Sequence, residues 1–111
     1  MMAVADARIA ADWRRQPEKT VRQVVLRKTP IGASMKEVSA VVANEGWRLL
    51  EVNRDKGFQI ERDDALIGAK HIRAYLGAYP GNPFSVDVEV LWGFNSAEQL
   101  VDIRIWKTGA L

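Results

Sequence analysis

The residues that could do chemistry in this chain are few. His71 is the single histidine and there is no cysteine. Disulfides, thiolate nucleophiles and Cys/His zinc sites are therefore excluded. A histidine-based triad would have to combine His71 with Ser85 and Asp102. Neither a nucleophile elbow nor a glycine-rich oxyanion loop accompanies those residues. Asp87 and Glu89 stand two apart, which on a strand puts both carboxylates on one face. Paired carboxylates work as acid and base only where a pocket drives their pKa values apart. Arg73 and Arg104 nearby favour ion pairing instead. No two ligands have metal-motif spacing, so neither metal nor cofactor is expected.

The elements that position these residues divide into a helical first half and a strand-rich second half. Ile9 and Trp13 suggest a short helix near 4–15. Pro17 suits the first turn of a second helix, with Val21, Val24, Val25 and Lys28 at helical spacing and Arg22, Gln23 and Arg27 outward. Pro30 and Gly32 end it. Ser34-Met35-Lys36-Glu37 reads as a capping box opening a third helix with Met35, Val38, Val41 and Val42 as its apolar stripe. Asn44-Glu45-Gly46 closes that helix.

From Trp47 the period becomes two. Trp47, Leu49 and Glu51 alternate with Arg48, Leu50 and Val52, and Asp55-Lys56-Gly57 predicts a hairpin turn into a strand at Phe58–Glu61. Arg62-Asp63-Asp64 would protect its edge with charge. Lys70–Tyr79 forms the next strand, with Ile72, Ala74 and Leu76 inward. After the Pro80-Gly81-Asn82-Pro83 turn, Phe84, Val86, Val88, Val90 and Trp92 share a face. Asn95–Glu98 turns the chain into a last strand, Leu100–Trp106, with Val101, Ile103 and Ile105 as its core set.

The expected fold is α+β: two or three N-terminal helices on one face of a four- to five-stranded antiparallel meander. One domain spans 1–111, with a helical extension at 1–16, a helix pair at 17–46 and the sheet at 47–107. The opposite sheet face then collects His71, Arg73, Tyr75, Ser85, Asp87, Glu89, Leu91, Leu100, Asp102, Arg104 and Trp106. Aromatic and apolar residues beside Arg and carboxylates have the composition of a protein-binding hot spot. Trp106, Tyr75 and Leu91 would anchor a partner, while Arg73, Asp87, Glu89, Asp102 and Arg104 set specificity and association rate. A decorated solvent face, a covering helix carrying Trp13, or a homodimer mate are the competing accounts of those residues.

Charge argues against nucleic acid as the partner. Residues 1–30 carry a net +4 and the remainder a net −2. Asp87, Glu89 and Asp102 would repel phosphate from the very face whose aromatics could stack on bases. No segment reaches the ~20 apolar residues of a membrane span. Met1–Arg8 has no signal-peptide apolar region, which predicts a cytoplasmic location for the sequence as it stands and a periplasmic one if a leader has been removed.

The run Pro30-Ile31-Gly32-Ala33-Ser34-Met35-Lys36-Glu37-Val38, followed by Gly46-Trp47 and a meander, resembles small envelope domains of the SmpA/BamE type. It is also similar to the half-domains of β-lactamase inhibitory protein. In those families a Gly-x-Ser/Thr-x-x-Glu-Val turn opens the second of two helices packed on an antiparallel sheet. The resemblance spans about residues 18–107 and implies a non-enzymatic module that engages another protein. There is no lipobox cysteine, so it does not imply lipoprotein anchoring, and one copy of the unit is present where the inhibitor has two. The expected function is a bacterial inhibitor or immunity protein that covers a cognate toxin or enzyme. An envelope assembly factor is the alternative binding role, and an enzyme using His71 or the Asp87/Glu89 pair the alternative from another class.

Overall fold

A computed structural model describes residues 13–62, 64–81 and 84–109. The helix expected near 4–15 lies mostly outside them; its described end, Trp13–Arg15, is a short 3₁₀ turn. Helix α1 spans Glu18–Lys28 and α2 spans Met35–Asn44. Strands β1 (Arg48–Asn53), β2 (Lys70–Tyr79), β3 (Val86–Phe94) and β4 (Leu100–Thr108) follow. They form one antiparallel sheet in the order β1-β2-β3-β4, a meander with both helices on one face. The fold is α+β.

Local chemistry sets the helix ends. Pro17 occupies the cap position of α1, and its carbonyl accepts from the Thr20 and Val21 amides. Ser34 and Glu37 make the complete capping box: Glu37 N–H donates to Ser34 Oγ at 3.0 Å, and Ser34 N–H donates to Glu37 Oε1 at 3.1 Å. Gly46, with φ of 72°, turns the chain out of α2 in a conformation other residues rarely adopt.

The core fills the space between helices and sheet. Val21 and Val25 of α1 and Met35, Val38 and Val42 of α2 pack on Ile72, Ala74, Val88, Val90, Trp92, Phe94, Ile103 and Ile105. Trp13, Trp47 and Trp92 succeed one another through this layer, with ring centroids 6.4 and 6.3 Å apart. Trp13 thus packs on the helix side and does not cover the opposite face. The indole N–H of Trp92 donates to Thr29 Oγ1 at 3.0 Å, and that hydroxyl donates to Val25 O at 2.8 Å.

Three bulges shift the alternation read from sequence. Between Leu49 and Glu51 the register slips, so Leu49 and Val52 stand on the helix side opposite Ala74 and Ile72, while Arg48 and Glu51 face outward. A second slip lies between Tyr75 and Gly77. At Gly93/Phe94 a third pairs Phe94 with Leu100 and Gly93 with Asp102. Leu100 is consequently core and Val101 is 43% exposed, the reverse of the simple alternation. Phe84, before β3, is likewise exposed.

The largest departure concerns residues 54–69. No strand forms at Phe58–Glu61; Phe58 and Ile67 exchange two backbone hydrogen bonds as an isolated bridge. Asn53 Oδ1 accepts from the Asp55 and Lys56 amides and turns the chain out of β1. The connection then crosses the outer sheet face as a strap. Gly93 makes this approach feasible: a Cβ there would stand 2.8 Å from Ile67 O and 3.1 Å from a Phe58 ring carbon.

Candidate protein-binding face

The outward rows of β2, β3 and β4 are set by register. Tyr75, Glu89 and Trp106 form one cross-strand row; Arg73, Leu91 and Arg104 form the next; His71, Gly93 and Asp102 form the third. Asp87 pairs with Ala78 and Thr108 beyond them. All eight residues proposed from sequence as a binding set therefore share this face.

Their charged groups and the Tyr75 hydroxyl are already partnered. Arg73 Nε lies 3.6 Å from Glu89 Oε1, one row apart. The Tyr75 hydroxyl donates to Asp87 Oδ1 at 3.2 Å, and the Arg48 guanidinium lies 5.0 Å from the Tyr75 ring centroid. Burial, with the Asp87 carboxylate beside it, pushes the Tyr75 phenol up from its ordinary value. Arg104 Nε lies 3.4 Å from Asp102 Oδ2.

Asp102 has a second partner from the other side of the sheet. Arg22 of α1 reaches the edge strand β4, donating through Nη2 to Asp102 Oδ1 at 2.7 Å and through Nε to Ile103 O at 3.1 Å. Burial raises the Asp102 carboxyl, but the Arg22 hydrogen bond, the Ile103 amide and the charges of Arg22 and Arg104 together hold it below its usual value. Arg22 is not an outward solvent residue of α1, as helical spacing alone suggests. It ties α1 to the edge.

The strap covers one end of the face. Leu91 is 8% exposed and shares the walls of two depressions with Phe58, Gln59, Ile60 and Leu66. It is floor rather than a protruding anchor. Two openings flank Trp106. One, of about 670 Å³, runs over the β4 edge between Lys19 and Arg22 of α1 and Ile60 and Asp64 of the strap. The other, of about 320 Å³, lies over Arg73, Glu89 and Leu91. Trp106 and Ile60 line both. Trp106 remains partly exposed between them.

The catalytic groupings drawn from sequence come apart. His71 and Asp102 stand two strands from each other, roughly 10 Å, with Gly93 between. Ser85 precedes β3, eight positions from Gly93, on the order of 26 Å along an extended chain. His71 is 5% exposed, and both its ring nitrogens contact acceptors. Asp87 and Glu89 take separate partners, Tyr75 and Arg73. Among the described residues no group of three or more His, Asp or Glu side chains is arranged to hold a metal ion. No described helix is long and apolar enough to cross a membrane.

Sequence reasoning missed Arg22, Ile60 and the strap. Gly93 was the available signal: a residue without a side chain in an outward row of otherwise large groups marks a close approach. No family model, curated protein or solved structure matches the chain.

Proposed function

We propose that the chain is a non-enzymatic protein-binding module, most concretely an inhibitor or immunity protein that neutralises a cognate bacterial toxin or enzyme by direct contact. The observation that carries this reading is the position of Trp106. A partly exposed indole stands between two open grooves, rimmed by Arg73, Glu89, Asp102 and Arg104, whose charges are held in place by ion pairs. Ordered charges around an aromatic anchor reduce the entropy lost on docking, and fixed charges steer encounter. Tyr75, braced by Asp87 and Arg48, extends the contact along β2. The occupant is a protein surface bearing both charge signs. The test is affinity capture from the native host with the wild-type chain and with Trp106→Ala. One stoichiometric enzyme or toxin, retained by the wild type, lost by the variant and inhibited by the pure chain, supports the proposal. Equal retention by both chains sinks it.

A second reading rests on the turn at Gly32–Glu37. Its complete capping box and the helix pair on a meander are features that the resemblance to SmpA/BamE-type domains implies. Under that reading the captured partners would be outer-membrane assembly proteins.

A further inference from the structure

We propose that His71 is a proton-operated latch: with both ring nitrogens protonated it bridges the Glu51 carboxylate and the Lys56 carbonyl and holds the 54–69 strap on the sheet, and loss of one proton lets the strap lift. The geometry is the argument. Nδ1 lies 2.9 Å from Lys56 O, and Nε2 lies 3.1 Å from Glu51 Oε1. A carbonyl can only accept, and so can an ionised carboxylate. A neutral imidazole has one N–H and therefore serves one of these groups, turning a lone pair toward the other. The imidazolium serves both.

Asn53 also donates to the Glu51 carboxylate, whereas among the described residues the Lys56 carbonyl meets no donor besides the His71 ring. The charged residues lining the depression around His71 are Glu51 from β1, Lys56 from the strap and Arg73 from β2; β3 contributes Gly93 and Leu91, which carry no charge. Lys56 meets the ring through its carbonyl, and Arg73 is paired with Glu89. Phe58 of the strap packs edge-on against the imidazole, centroids 6.5 Å apart, so the ring lies under the strap. The Glu51 carboxyl is held below its ordinary range, chiefly by the hydrogen bond with His71, which fits an anion at that acceptor.

The strap carries Ile60, which walls both grooves beside Trp106. Its lifting would uncover Leu91 and reshape the binding face. That consequence rests on the protein-binding reading above; the latch itself is measured in the free protein, so the two can fail separately.

Histidine changes charge between about pH 5 and 8. The experiment follows, across that range, the two ring nitrogens by nitrogen-15 NMR and the exchange of the 54–69 amides by mass spectrometry, corrected for intrinsic exchange. The expected result is roughly tenfold faster strap exchange once the ring loses its proton, the worth of about one hydrogen bond. In His71→Phe the strap exchanges at the fast rate at every pH. In Glu51→Gln, whose amide can donate to a neutral ring, it stays protected at every pH. Strap protection that ignores the His71 titration overturns the latch, as does a singly protonated ring under a fully closed strap. Should His71→Phe fail to fold, the half-exposed Glu51 position still decides.

Discussion

Arg22 Nη2 donates to Asp102 Oδ1 at 2.7 Å although 80 residues separate them, joining the first helix to the outermost strand of the meander. The same guanidinium bonds Ile103 O, so one side chain covers part of an edge that would otherwise offer backbone acceptors to another chain. The charge on the outer sheet face and the docking of α1 are thereby one interaction.

Arg22→Ala should lower stability by about 0.5–1 kcal/mol, a figure kept small because Arg22 is more than a third exposed and screened by solvent. Denaturant titration checks it. The pH dependence has a definite sign. Asp102 is lowered in the folded state, so its contribution is present above its unfolded pKa and is lost as pH falls through the folded value. Arg22→Ala should therefore flatten part of the acid limb of the stability profile and leave the neutral-to-alkaline limb unchanged.

Gly93→Ala should displace the strap. Its methyl would meet Ile67 O at 2.8 Å and the Ile67 and Phe58 side chains at 3.0 and 3.1 Å. Overpacking of this kind costs about 1–3 kcal/mol. Amide exchange should localise the loss to 54–69; unaltered exchange there would mean the strap does not lie on Gly93.

Much of this architecture is legible in the sequence, and the exceptions have physical causes. The capping box at Ser34–Glu37, the bounds of the Lys70–Tyr79 strand and the outward set from Arg73 to Trp106 follow from local patterns. Glu51, Val52, Leu100 and Val101 do not, because each adjoins a register shift and a single slip moves a side chain to the other face. The strap is hidden by its composition: Phe58 and Ile60 alternating with Gln59 and Glu61 look like a half-buried hairpin strand. Their cover is the sheet face itself, a long-range contact that no local period encodes.

Thr29→Val should cost about 1–3 kcal/mol, since it removes the acceptor of the buried Trp92 indole N–H. Thr29→Ser keeps the hydroxyl and should recover most of that stability. Thermal unfolding of the pair separates the hydrogen bond from packing. A loss in Thr29→Ser as large as that in Thr29→Val would show that the hydroxyl is not the dominant contribution.

Trp106 and the charged rows around it are proposed to bind another protein. The direct measurement is the affinity of the captured partner for the wild-type chain, for Trp106→Ala, and for Lys36→Glu, an exposed change on α2 across the sheet. Trp106→Ala should lose about 2 kcal/mol or more, roughly thirtyfold, with Lys36→Glu unchanged and both variants folded. Undiminished binding by Trp106→Ala, or a loss confined to Lys36→Glu, would contradict the proposal.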